Sequence, residues 1–112
     1  MDELFLFSSN SLISNNWASH PQNPIISDVK KSRPAGNFFI YKDKLYRPSQ
    51  NSSKHYGYGM KINQVIELTE TNYKEEVVDS ILPNWDKNLI STHTINSVDN
   101  LTVIDALMRR RK

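Results

Sequence analysis

The stretch Ser32–Tyr58, SRPAGNFFIYKDKLYRPSQNSSKHYGY, concentrates the punctuation of this 112-residue chain. It holds two of the three glycines, with Gly59 just beyond, both Arg-Pro pairs and four of the five tyrosines. Two β-rich runs, Asn37 to Tyr41 and Lys44 to Arg47, flank Lys42-Asp43. That pattern predicts a tight hairpin, because Asp tolerates the left-handed conformation the turn demands. Gly36 lets another strand come close, and Pro34 and Pro48 bracket the hairpin.

Working outward, Tyr58 to Leu68 alternates with period two. Met60, Ile62, Ile66 and Leu68 fall on one face, and Lys61, Asn63 and Glu67 on the other, which predicts a half-buried strand. Tyr73 to Leu82 has two readings. Asn72 with Glu75 resembles a helix capping box, whereas Tyr73, Val77, Val78 and Ile81 are β formers stopped by Pro83. We read it as a strand. Ser91 to Ser97 and Leu101 to Ile104 flank Val98-Asp99-Asn100, a second hairpin. Upstream, Leu4 to Ser8 is a short strand, and His20-Pro21 and Asn23-Pro24 impose an extended connection. Ile25 and Ile26 tuck under a sheet edge, and Trp17 and Trp85 pack on neighbouring segments. The two hairpins echo each other, with Asp43 and Asp99 in the turns and Leu45 and Leu101 two residues later. A period of about 50 residues built of four short strands is what a propeller blade requires. The expected fold is all-β, a partial five-bladed β-propeller of about two blades over residues 1–108, followed by a basic tail at 109–112.

The formal charge is +2, from 14 basic and 12 acidic residues. The tail Arg109, Arg110, Arg111 and Lys112 exceeds that excess by itself, so the body of the chain is slightly acidic. Nucleic-acid binding needs positive charge spread over a surface and is not expected. There is no cysteine, which removes disulfides and thiolate metal sites. The acidic start and short apolar run of MDELFLFSSNS do not make a secretory signal, and no segment is long enough to span a membrane. The default location is the cytoplasm.

The segments Asn23-Pro-Ile-Ile-Ser-Asp28, Ser32-Arg-Pro-Ala-Gly36, Lys44-Leu-Tyr-Arg-Pro-Ser-Gln50 and Tyr56-Gly-Tyr58 form a series with Ile66-Glu-Leu-Thr69 and His93-Thr94. In order and spacing the series resembles the N-terminal domain of plant glucosamine inositolphosphorylceramide transferases and bacterial relatives. That domain is similar to the five-bladed propellers of arabinanase- and levansucrase-type glycoside hydrolases. The resemblance runs from about Leu4 to Asp105. It implies one complete blade, two outer strands of another and the opening hairpin of a third. It also implies a fragment that needs missing blades or a partner chain, since open strand edges invite pairing.

In such a propeller the innermost strands line a channel. The candidate ligand-binding residues are therefore Arg33, Arg47, Gln50, Tyr56, Tyr58 and His93. Arg and Gln direct several hydrogen bonds at sugar hydroxyls, carboxylates or phosphates, and Tyr offers a flat apolar face with a polar tip. Each has a blander reading. Arg33 is equally placed to pair with Asp28 or brace a blade junction, Arg47 and Gln50 to brace the sheet, the tyrosines to pack it, and His93 to serve structure alone. None of the three histidines sits at ligand spacing with another, so no metal and no cofactor is expected. Glycoside hydrolysis needs two flanking carboxylates. Asp28 and Asp105 lie near expected inner strands, but no spacing pairs them, and the catalytic residues stay unassigned. The expected role is carbohydrate recognition within a glycan-modifying transferase-type protein. The alternative is part of the active site of a glycosyl-cleaving or -transferring propeller.

Overall fold

The computed structural model describes residues 3–55 and 58–110, and every regular element among them is a β-strand. In chain order these are β1 (Glu3–Leu4), β2 (Phe7–Ser8), β3 (Ala18–Ser19), β4 (Ile26–Ser27), β5 (Phe39–Tyr41), β6 (Lys44–Asn51), β7 (Gly59–Leu68), β8 (Tyr73–Ile81), β9 (Leu89–Ser91), β10 (Ile95–Val98), β11 (Leu101–Ile104) and β12 (Leu107–Met108). The all-β class is as the sequence predicts. The centre is a four-stranded antiparallel sheet in the sequential order β5-β6-β7-β8, and the other strands pair in twos, β1-β4, β2-β3, β12-β9 and β10-β11. The sheets do not close on one another.

The hairpin in the opening stretch forms as expected. Lys42 and Asp43 both take positive φ, 49° and 65°, and Phe39 pairs with Tyr46 across the two strands. Two positive-φ residues in a two-residue loop match the right-handed twist of the flanking strands. The rings of Phe39 and Tyr46 stack with centroids 5.3 Å apart, a pairing that contributes about 1 kcal/mol beyond burial. Asp99, at φ 52°, turns the second hairpin. Tyr73–Ile81 is a strand, as the β-branched residues and Pro83 indicate, and the capping-box reading fails.

Residues 33–35 extend the first strand of the central sheet. Pro34 bridges Ser49, Gln50 N–H donates to the Arg33 carbonyl at 2.7 Å, and Ala35 N–H donates to the Pro48 carbonyl at 3.1 Å. At Gly36 (φ 137°) the chain leaves this ladder, and the Ala35 carbonyl accepts instead from Ile95 N–H at 2.8 Å. A Cβ on Gly36 would lie 2.0 Å from the Ile95 carbonyl oxygen. The close approach expected at Gly36 is therefore real, and its partner is β10.

Two sequence expectations are corrected. The period-two reading of Tyr58 to Leu68 puts Ile66 and Leu68 inward and Asn63 outward. Ile66 and Leu68 are instead about half exposed, while Asn63 is fully buried and Val65 buried beside it. The shift between Val65 and Glu67 inserts Ile66 as an extra residue on β7 and reverses the alternation beyond it, whereas Asn63 is buried because this part of β7 is covered on both faces, as the burial of Met60 on the other face shows. Trp17 and Trp85, expected to pack, are also half exposed. Ile26 is buried as predicted, while Ile25 is only partly so.

The buried interior is unusually polar. Its apolar members are Ile26, Ala35, Met60 and Val65 with Pro48, beside buried His20, Ser32, Arg47, Ser49, Gln50, Asn63, Ser91 and Thr92. Four successive residues of β6, Arg47 to Gln50, are buried. Alternating side chains point to opposite faces, so this part of the strand is covered on both.

Candidate functional site

One end of the central sheet gathers most of the predicted set. Arg33 and Gln50 are adjacent across the ladder, and Gln50 Nε2 donates to the Pro34 carbonyl at 3.1 Å. Gln50 Oε1 is buried with no hydrogen-bond partner among the described residues. Tyr58 precedes Gly59, which pairs with Asn51, and its carbonyl accepts from Thr92 N–H at 3.4 Å. That contact sets His93 beside the same end. The Tyr58 ring meets His55 edge-on at 5.3 Å, and Lys54 Nζ lies 5.0 Å from its centroid. Arg33, Gln50, Tyr58 and His93 thus come together through backbone pairing. Tyr56, the remaining tyrosine candidate, lies outside the described residues.

His93 has a carboxylate partner. Its Nδ1 lies 2.5 Å from Asp105 Oδ2, and Asp105 Oδ1 accepts from the N–H groups of His93 (2.8 Å) and Thr94 (2.9 Å). Thr92 Oγ1 donates to the Asp105 carbonyl at 2.7 Å. Partial burial pushes the Asp105 carboxyl up, but the two amides and the adjacent His93 ring more than offset it and hold it below the usual carboxylate range. Both side chains of the pair remain about one-third exposed. The arrangement fixes the orientation of an imidazole at the sheet end, where it can hold or move a proton.

Arg47 is placed differently. It lies three residues from Gln50 on one strand, so the two side chains leave opposite faces. Its Nε donates to Glu75 Oε1 at 2.8 Å and its Nη2 to Glu75 Oε2 at 3.1 Å and to the Lys31 carbonyl at 2.6 Å. Both side chains of the ion pair are almost fully buried. Tyr73 Oη donates to Glu75 Oε1 at 2.7 Å. Burial, and that bond to the carboxylate, push the Tyr73 phenol well above its ordinary range. Asn63 Nδ2 completes the cluster by donating to the Arg47 carbonyl at 2.8 Å and to Ser49 Oγ at 2.9 Å. This geometry ties the residue 28–32 segment to the sheet and gives Arg47 a bracing role.

Glu75, Asn63 and the pairing of Asp105 with His93 are what sequence reasoning missed. Asn63 carried one signal, an amide in the middle of a long strand, where a polar group is tolerated only if it is bonded. Among the described residues no group of three metal-ligating side chains comes together, and no helix is long and apolar enough to cross a membrane.

The chain is similar to glucosamine inositolphosphorylceramide transferase 1 of Oryza sativa subsp. japonica, at 39% identity over 79 residues. The proteins of the same name from Oryza sativa subsp. indica and Arabidopsis thaliana are 40% identical over 65 residues and 30% identical over 61. These matches cover 69%, 56% and 53% of this chain, but only 10%, 9% and 8% of the three relatives, so the chain spans a small part of their length. No solved structure matches it significantly. The family model described as "Glucosamine inositolphosphorylceramide transferase 1, N-terminal" matches residues 1–101, and the chain belongs to that family.

Proposed function

We propose that this chain is a glycan-recognising segment of a β-propeller domain within a glycan-modifying transferase-type protein, with Arg33, Gln50, Tyr58 and His93 facing the ligand. The observation that carries the reading is their convergence at one sheet end, where Gln50 Oε1 is left without a partner. A hydrogen-bonding fork, an amide, an aromatic face and a proton-handling imidazole together match the polar edges and apolar faces of a sugar. The relatives' name, which joins glucosamine to a phosphorylated inositol lipid, supports a sugar- or phosphate-bearing ligand.

The propeller part of the proposal draws on the sequential four-stranded sheet β5-β6-β7-β8, the form of one blade. It also draws on Val77 and Val78 of β8 and Val98, Leu101, Val103 and Ile104 of the last hairpin, all substantially exposed. Apolar edges of that kind meet further blades or a partner chain in the assembled protein.

Calorimetric titration of the chain against a glycan panel tests the reading. Arg33→Ala and Gln50→Ala are expected to weaken sugar binding by about tenfold each, the worth of one charge-assisted or buried hydrogen bond. Binding unchanged by both removes the site assignment. A second reading, in which the sheet end forms part of a glycosyl-transferring centre, is favoured by the His93–Asp105 pair alone. It requires Asp105→Asn to abolish turnover by the longer protein while leaving sugar affinity intact.

A further inference from the structure

The loop between β2 and β3 faces the turn between β7 and β8 across a cleft of about 640 Å³. Its lining includes Asn10, Asn15, Asn16 and Trp17 on one side and Glu70 and Thr71 on the other. Trp17 is half exposed, yet its orientation is set, because Nε1 donates to the Ser14 carbonyl at 3.0 Å. The opposite wall is equally fixed. Thr69 and Asn72 exchange bonds of 2.9 Å through the Thr69 N–H and the Asn72 N–H. The segment that follows β3 is tied to the β7–β8 turn by Tyr73 N–H to Gln22 Oε1 at 2.7 Å and by His20 Nε2 with the Thr69 carbonyl at 3.0 Å. The cleft is therefore built before any ligand arrives.

We infer that this cleft is a second saccharide-binding site, separate from the sheet end, that takes uncharged and amino-bearing pyranoses and rejects anionic ones. An indole face is a stacking platform for the apolar face of a pyranose ring, and Asn side chains supply donor and acceptor together for vicinal hydroxyls. The volume falls in the ordinary range for a small-ligand site. Charge sets the selection. Among the described residues Glu70 is the only charged one in the lining, and residues 5–27 contain no Asp, Glu, Lys or Arg. A carboxylate with no cation beside it in the described lining repels uronates and phosphosugars and attracts an ammonium. The same lack of cations argues against a nucleic-acid strand on the Trp17 face.

The inference rests on the glycan reading above, and one experiment separates the two. The full chain is titrated with cellobiose, its diamino counterpart chitosan disaccharide, and digalacturonate, following the indole N–H resonances, with Trp85→Phe assigning Trp17. The Trp17 signal is expected to shift with the first two sugars and not with the third. Trp17→Ala should weaken both by about tenfold or more, and Glu70→Gln, which is exposed and leaves the fold intact, should erase the preference for the diamino sugar. Arg33→Ala, which acts at the sheet end, should leave the Trp17 shifts with both sugars unchanged. Binding that is lost with Arg33→Ala and survives Trp17→Ala overturns this cleft and leaves the sheet-end site standing. Trp17 shifts that survive Arg33→Ala, with this binding lost in Trp17→Ala, uphold the cleft, and the sheet-end site is then judged separately by the calorimetric effect of Arg33→Ala. Shifts at Trp17 that are as large with digalacturonate, or absent with all three sugars, also overturn the cleft.

Discussion

Removing one member of the Arg47–Glu75 pair should cost far more than removing both. The two side chains are 1% and 2% exposed, and the guanidinium uses two nitrogens on the carboxylate. Arg47→Met leaves Glu75 buried with the Tyr73 hydroxyl as its one remaining partner among the described residues, and it takes the donor away from the Lys31 carbonyl. Breaking a buried pair from one side costs about 3–5 kcal/mol, because the remaining charge is neither solvated nor paired. With a urea m-value of about 2 kcal/mol/M for a chain of this size, the midpoint should fall by roughly 2 M. Glu75→Leu should fall by a similar amount. The double variant Arg47→Met/Glu75→Leu replaces charge with apolar volume and should return to within about 1 kcal/mol of the parent, since desolvation of two ions is no longer required. Urea melts of the four proteins followed by circular dichroism close the cycle. Single variants that each cost less than about 1 kcal/mol, or a coupling below about 0.5 kcal/mol, would refute the bracing role. Arg47 would then return to the ligand-facing candidates.

Three further outcomes follow from the same geometry. Because the Tyr73 phenol is raised in the folded state, its contribution is fully present below the unfolded value near about pH 10 and is lost as pH rises beyond it. Stability should therefore fall between about pH 10 and 12, and Tyr73→Phe should flatten that slope in urea melts across the range. Asp105 is lowered, so its contribution is present above the unfolded value of about 4 and is lost as pH falls through the folded one. Its exposure keeps the effect small, but Asp105→Ala should speed hydrogen exchange of the His93 and Thr94 amides about tenfold, and unchanged protection would count against the pairing. Gly36→Ala must move the Ile95 carbonyl and hold a non-glycine residue at φ 137°. It should cost about 2 kcal/mol or more and strip protection from the Ile95 amide, and an unaffected Ile95 would contradict the close approach.

What the sequence revealed was what local chemistry decides. Lys42-Asp43 announced a hairpin because two β-rich runs flank a pair whose Asp tolerates the left-handed conformation, and Gly36 announced close packing because it lacks a Cβ. The strand at Tyr73 was legible from β-branched residues and a terminal proline. Side-chain facing along β7 was not, because the extra residue Ile66 reverses the alternation with no glycine or proline to mark it, and because the strand is covered on both faces at Met60 and Asn63. The site was legible in residue type more than in role. Arg33, Gln50, Tyr58 and His93 were named from a resemblance, and the ladder brings them to one end. The partner that claims Arg47 is 28 residues away on β8, where the sequence presents Glu75 only as half of a capping box. Pairing across that distance is set by register, which no short window of sequence contains.

The proline at 48 shows how a residue read as a boundary mark becomes a connector. In an antiparallel ladder the residues on either side of the Pro34–Ser49 bridge should each exchange two bonds with their opposite number. Ala35 donates to the Pro48 carbonyl, but Pro48 has no N–H to return, so the Ala35 carbonyl is left as an unused acceptor inside the sheet. A buried carbonyl without a donor is costly, and Ile95 N–H supplies the bond at 2.8 Å. Glycine at 36 is then required on the same edge, because any Cβ there would block the strand that brings Ile95. Arg-Pro at 47–48 and Ala-Gly at 35–36 thus act as one joint. The first frees an acceptor, the second clears the approach, and together they recruit a strand from some 60 residues downstream to the flank of the sheet. His93 and Asp105, just before and after that hairpin, are held at the sheet end by this joint together with the bond from Thr92 N–H to the Tyr58 carbonyl. The candidate site therefore depends on a missing N–H and a missing Cβ as much as on the side chains that line it.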